Sequence, residues 1–199
     1  PFYREPILVC HLARQLGRPV KWQETRHEHL MVVSHERDQT HTVELAADKD
    51  GKFLALRTDG MCDCGDGCEG VYWGYLMSWL GGILFTNSYV LPNCDINLRV
   101  AVTNKSALSP ARSFGSYPTR FAIERAVDIM ARKLGLDAGD VRRKNIIAEL
   151  PHTTCTGAYY DSGDYLKVWD TLVEHLDVPK FRAEQKAALA EGKYIGLGF

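Results

Sequence analysis

No run of about eighteen apolar residues occurs in this sequence. The longest apolar region, Val71 to Phe85, is interrupted by Gly74, Ser78, Gly81 and Gly82, which argues against a membrane-spanning helix. Charge of one sign is also lacking: 24 Lys plus Arg face 25 Asp plus Glu, a formal net charge of −1, so no sequence-wide field draws nucleic acid or an anionic membrane. No basic segment followed by an apolar run opens the chain, which begins at Pro1, and Tyr194 to Phe199 read as a strand that simply stops. The expectation is an interior piece of a longer polypeptide. Missing too are C-x-x-C pairs, an H-E-x-x-H helix and a G-x-S-x-G elbow, which disfavours zinc ribbons, zinc proteases and serine hydrolases.

What remains is ordinary globular material: 199 residues, 45% hydrophobic, 25% charged and 10% aromatic. Glu5 to Leu16 carries Ile7, Leu8, His11, Leu12 and Leu16 at helical spacing and stops at Gly17. Val20 to Glu24 reads as a short strand. Thr40 to Leu45, the turn Asp48-Lys49-Asp50-Gly51 and Phe53 to Arg57 predict a β-hairpin. Cys62 to Asn87, rich in glycine and aromatics and without a sustained period, reads as a long functional loop. Asp95 to Thr103 is the clearest strand. A second irregular stretch, Ser106 to Pro118, leads into the clearest helix, Thr119 to Leu134, ended by Gly135. Asp137 caps a short helix through Asn145, Ser162-Gly163-Asp164 opens another, and Pro179 starts one that runs through Leu189. Strands and helices segregate rather than strictly alternate, so the predicted class is α+β, with mixed sheets and packed helices.

Three constellations invite chemistry. Cys62, Cys64 and Cys68 place three thiols within seven residues, but a fourth metal ligand is not evident and free thiols are the plainer reading. Six cysteines with no secretory start favour a reducing, cytoplasmic setting over a disulfide framework. His27, His29, His35 and His41 lie among Arg26, Glu28, Glu36, Arg37 and Asp38, which read as a solvated or ion-paired surface rather than a metal site. Gly65-Asp66-Gly67-Cys68-Glu69-Gly70 spells G-x-G-x-x-G, yet Asp66 and Glu69 would repel a pyrophosphate, and a flexible turn is preferred.

More informative is Thr103 to Gly115, which leaves the clearest strand and approaches the clearest helix. Cationic Arg112, small Ser113 and Gly115, and aromatic Phe114 suit an anionic or oxo-bearing cofactor and a planar substrate. The alternative is a structural loop whose Arg112 pairs with a carboxylate and whose Phe114 plugs the core; composition leaves both open.

Several stretches, in order along nearly the whole chain, resemble one family: Leu12-Ala13-Arg14-Gln15-Leu16-Gly17-Arg18-Pro19-Val20-Lys21-Trp22; Glu24-Thr25-Arg26 with Glu28; Thr103-Asn104; Arg112-Ser113-Phe114-Gly115 with Glu124; Leu134-Gly135-Leu136-Asp137 with Arg142 and Asn145; and Tyr160-Asp161-Ser162-Gly163-Asp164-Tyr165. That family is the molybdenum-binding large subunit of the xanthine oxidase and aldehyde oxidase enzymes, especially the bacterial branch similar to carbon monoxide dehydrogenase. The resemblance implies that residues 1–199 form an incomplete molybdopterin-binding domain, with a strand-rich part over 1–150 and a helical segment over 151–199. It implies a molybdopterin dinucleotide, in the cytosine form, and hydroxylation of a substrate carbon with water as the oxygen source. Iron–sulfur clusters and FAD would sit on partner subunits, in a dimer of heterotrimers.

Carried over by the resemblance, Ala111, Arg112, Ser113 and Gly115 would contact the cofactor, and Phe114 and Leu80 the substrate. The family's catalytic Glu would lie beyond Phe199, so no catalytic residue is assigned here and the piece alone is expected to be inactive. Two departures bear on specificity. Members that oxidise carbon monoxide carry a copper-holding Cys where Ser113 stands, and a hydroxyl is a poor ligand for soft Cu(I). Purine oxidisers carry an Arg about a dozen residues before the Pro that resembles Pro92, at a position that falls near Leu80. An apolar aldehyde, an aromatic or an N-heterocycle is therefore the expected substrate. A non-catalytic scaffold that keeps the fold is the alternative.

Overall fold

A computed structural model of the chain describes residues 4–66 and 70–198. Its elements are α1 (Arg4–Leu16), α2 (Arg26–Val32), β1 (Gln39–Ala47), β2 (Phe53–Asp63), α3 (Gly70–Ile83), β3 (Cys94–Ala101), α4 (Ser116–Leu134), α5 (Ala138–Asn145), β4 (His152–Thr153), β5 (Tyr159–Tyr160), α6 (Tyr165–His175) and α7 (Val178–Ala190). The class is α+β. A three-stranded sheet has the order β1-β2-β3, and β4 pairs with β5 antiparallel, His152 opposite Tyr160. The Asp48–Lys52 turn folds β2 back on β1, its carboxylate accepting the N–H groups of Asp50 and Lys52. Bonds from Leu56 N–H to Asn93 O and from Cys64 N–H to Ala101 O show β3 running parallel to β2, which requires a crossover.

That crossover is α3, and it corrects the expectation of a loop over Cys62 to Asn87. Gly74 and Gly81 hide the period, because they do the packing that side chains do elsewhere. A Cβ on Gly74 would lie 1.9 Å from Cys64 Sγ, and one on Gly81 would lie 3.0 Å from Gly115 O. Two shorter expectations also fail: Val20 to Glu24 and the described part of Tyr194 to Phe199 are not strands. Among the described residues neither segment has a neighbouring strand to satisfy its backbone, and β propensity without a partner makes no sheet.

By internal contacts the chain forms two compact units: one of residues 1–42, 59–82 and 97–119, the other of 43–58, 83–96 and 120–199. In the first unit, Cys62, Met77 and Leu108 form a small buried cluster with Trp73 and Phe114 against it. The second unit holds the larger core, built on Phe53, Leu56, Phe85, Tyr89, Ile123 and Val127. An ionic network centred on buried Arg142 runs beside that core. Arg142, 6% exposed, reaches Glu124 Oε2 and Asp128 Oδ1, each at 2.8 Å, while the Tyr89 hydroxyl and Asn87 Nδ2 both donate to Glu124. Asn145 ties α5 to the hairpin by accepting the Phe53 N–H and donating to Gly51 O, both at 2.8 Å. One pair of cysteines departs from the reading of free thiols: Cys94 and Cys155 are joined as a disulfide.

Most motifs that carried the resemblance are thus fold-holding parts. Thr25 and Glu28 make a reciprocal capping box at the start of α2. Gly17 and Gly135 end helices at φ +62° and +70°. Asp137 and Asp164 cap α5 and α6.

Candidate functional site

The segment between β3 and α4 is clamped at its start. Asp63 accepts the Thr103 hydroxyl at 2.6 Å and the Gly65 N–H at 2.9 Å, and Lys105 Nζ lies 2.9 Å from its other oxygen. The hydrogen bond from Thr103, with those from Lys105 and Gly65, lowers its pKa from the usual carboxylate range to about 2. Lys105 also pairs with Asp38, and both carboxylates raise its pKa. An open depression of about 530 Å³ beside it is lined by His35, Glu36, Arg37, Asp38, Asn104 and Lys105. Its cations are spent on its own acids, Lys105 on Asp38 and Asp63 and Arg37 on Glu36, so it presents no free positive charge to an anion.

Arg112 differs. It is exposed, and among the described residues it makes no ion pair. The backbone that carries it is strained: Ser113, Phe114 and Gly115 have φ of +84°, +44° and +85° in succession. Only glycine enters that region freely, and two non-glycine residues there in a row mark a conformation imposed by its surroundings. Within the loop Phe114 N–H donates to Ala111 O and Ser116 N–H to Ser113 O, while the Ser113 and Ser116 hydroxyls bond each other. The N–H groups of Arg112, Ser113 and Gly115 find no hydrogen-bond partner among the described residues. Backbone N–H groups left open by a turn of this kind make an anion-binding concavity.

Gly115 cannot be replaced without moving the loop, since a Cβ there would lie 2.4 Å from Met77 O. Phe114 is half-buried and meets Trp73 edge to face, ring centroids 5.9 Å apart. Leu80 is half-buried on α3, one residue from Gly81, whose backbone approaches Gly115. The structure therefore brings Ala111 to Gly115 together on one turn and sets the α3 residues Met77 and Gly81 against it. The loop's groups suit an oxo- and phosphate-bearing pterin cofactor: an unspent guanidinium, open N–H donors and a small hydroxyl residue.

The other candidates separate from this turn. Cys62 and Cys64 are buried, and burial raises both thiols, Cys64 to about 12, which makes them inert core residues; Cys68 lies outside the described residues. Part of the G-x-G-x-x-G segment also lies outside them. His27 and His29 fall on α2, two apart on a helix and so not on one face, and the His29 ring binds Glu24. Among the described residues no group of three or more His, Cys, Asp or Glu is placed to hold a metal ion. Glu36 and Arg37 are contacts the sequence did not reveal. Glu36 Oε1 accepts the Ala111 N–H at 2.9 Å across 75 residues of chain, a separation that leaves no periodic signal.

Comparison with known proteins adds what the geometry leaves open. Residues 2–146 match the family model of the molybdopterin cofactor-binding domain. The chain belongs to that family. Within it, the chain sides with the molybdenum-binding large subunits of the xanthine oxidase type. It is 32% identical to the nicotine 6-hydroxylase large subunit of Paenarthrobacter nicotinovorans over 98% of this chain and 24% of that protein. It is 36% identical to the carbon monoxide dehydrogenase large chain of Hydrogenophaga pseudoflava over 94% of this chain and 24% of that one. Among solved structures, quinoline 2-oxidoreductase from Pseudomonas putida 86 superposes with a TM-score of 0.86 at 31% identity, covering 96% of this chain and 25% of the other. The chain thus spans about a quarter of the length of the curated relatives it matches.

Proposed function

We propose that this molybdopterin-binding chain forms the Arg112 wall of the active site in a molybdenum hydroxylase. The observation that carries the reading is the strained turn from Ala111 to Gly115, with an exposed, unpaired Arg112 and open backbone N–H groups. When bound, the molybdenum cofactor supplies the oxidation of the substrate carbon, with water as the oxygen source. Arg112 and the neighbouring N–H groups hold the cofactor's anionic side, and Ser113 and Gly115 keep the approach free of bulk. Phe114, braced by Trp73, offers an aromatic edge or face to a planar substrate. Leu80 adds an apolar contact where purine oxidisers present a cation.

The substrate proposed is an aldehyde, an aromatic or an N-heterocycle. An N-heterocycle is supported by the names of two relatives, a nicotine hydroxylase and a quinoline oxidoreductase. The cofactor is proposed as the cytosine dinucleotide form, with iron–sulfur and FAD-bearing partner subunits in a cytoplasmic dimer of heterotrimers. The division of the chain into parts over 1–150 and 151–199 belongs to the same proposal. The isolated piece is expected to be inactive, the general base being supplied from outside it.

The test is turnover of quinoline, benzaldehyde and acetaldehyde by the complete polypeptide with its partners in ¹⁸O-labelled water. Label in the product supports the reading. Label arriving from dioxygen, or no turnover of any of the three by enzyme with full molybdenum content, would sink it.

A further inference from the structure

We infer that His35-Glu36-Arg37 is a bracket that sets the position of the Arg112 loop, with Glu36 and Arg37 as its positioning residues. The inference rests on the functional reading above and names a part of the same site. The tripeptide grips the loop at three successive points, all within one compact unit. At the near end His35 forms a parallel bridge with Leu108: its N–H donates to Ala107 O at 3.2 Å, and its carbonyl accepts the Ser109 N–H at 3.0 Å. In the middle the Glu36 carboxylate, only 9% exposed, accepts the Ala111 N–H at 2.9 Å. At the far end the Arg37 guanidinium lies 4.7 Å from the centroid of the Tyr117 ring, at the start of α4.

The two side chains also hold each other, Arg37 Nε lying 2.8 Å from Glu36 Oε2. Arg37 itself sits at φ +72°, a strained conformation kept at the residue that spans to the far end of the loop. Between these grips lie Arg112, Ser113, Phe114 and Gly115, the last three at positive φ, a conformation that Ser113 and Phe114 do not favour by themselves. The Glu36 carboxylate, nearly buried, is held on one oxygen by the Arg37 cation and accepts the loop N–H on the other. The loop inherits that geometry at Ala111, one residue before Arg112. Neither Glu36 nor Arg37 needs to touch substrate to govern where Arg112 and Phe114 stand.

The experiment uses the complete polypeptide and compares Glu36→Ala, Glu36→Gln and Arg37→Ala with the wild type. It reads amide hydrogen exchange by peptide, molybdenum content, and KM and kcat on quinoline. Glu36→Ala should speed exchange about tenfold over residues 107–117 while other segments keep their protection. It should raise KM about tenfold in the molybdenum-loaded fraction of the enzyme, since small misplacements of a positioning group are costly. Glu36→Gln keeps an oxygen acceptor for the Ala111 N–H and should restore most of both. Arg37→Ala should loosen the same segment by a smaller factor, and it keeps the test open should Glu36→Ala fail to fold. Unchanged exchange over 107–117 overturns the bracket, as does a loss of protection spread evenly through the chain. A faster loop with unchanged KM overturns the positioning role. Wild-type enzyme without molybdenum would defeat the functional reading instead, and exchange would still decide the bracket.

Discussion

Arg112 and Phe114 are neighbours but one, yet the proposed function gives them separable roles, and substitution should separate them. Phe114→Ala removes an aromatic contact worth about 0.5 to 1.5 kcal/mol beyond area burial, so turnover of planar substrates should fall roughly tenfold with molybdenum retained. Relative rates on quinoline and acetaldehyde check this, and an unchanged preference in a folded, metallated variant contradicts the stacking role. Arg112→Ala should depress every substrate alike. Ser113 predicts that copper chelators leave activity unaltered and that no copper-dependent oxidation of carbon monoxide occurs, because a hydroxyl does not hold Cu(I). Gas-phase carbon monoxide consumption before and after Cu(I) addition reads this directly. Legibility differed sharply between residues. Arg112 announced itself as a cation in a small-residue loop, whereas Glu36 and Arg37 read as surface charge, since their partners Ala111 and Tyr117 lie far along the chain.

Among the elements, α4, α5, α6 and α7 were legible because their signals are local: an apolar stripe, an Asp cap, a Gly or Pro boundary. The hairpin was legible from alternation and the Asp48–Lys52 turn. Helix α3 was not, because its glycines are selected by tertiary contact and sequence periodicity is blind to that. Gly74→Ala makes the point testable. In an exposed helix the change stabilises by up to about 1 kcal/mol, but here a Cβ meets Cys64 Sγ at 1.9 Å, and overpacking of about 1 to 3 kcal/mol should win. A lowered melting temperature is expected; a raised one would mean the contact relaxes freely. At the other end of β2, Asp63 has its pKa lowered to about 2 by the Thr103 hydroxyl, with Lys105 and Gly65. A depressed folded-state pKa stabilises above the unfolded value near 4, and the contribution is lost as pH falls towards 2. Melting temperature should therefore drop less in Asp63→Asn than in wild type between about pH 5 and pH 2.5.

At the scale of the whole molecule, the resemblance was legible because many of its residues hold the fold: capping Asp137 and Asp164, helix-ending Gly17 and Gly135, buried Arg142 on Glu124 and Asp128. Removing the buried cation by Arg142→Ala should cost about 1 to 3 kcal/mol, because the part-exposed Glu124 and Asp128 would lose their shared partner. Denaturant unfolding measures that loss. The substrate was not legible at this scale, since the residues proposed to meet it, Phe114 and Leu80, are few and leave no periodic signal. The central claim, that the strained turn from Ala111 to Gly115 is a wall of a molybdenum site, reduces to the molybdenum content of the purified complete polypeptide, wild type against Arg112→Ala. About one molybdenum per wild-type chain, clearly reduced in a variant that keeps its far-ultraviolet circular dichroism, is the predicted result, with a lowered melting temperature as the cofactor's stabilisation is lost. Absence of molybdenum from the wild type, or full occupancy and full activity in Arg112→Ala, would contradict the account.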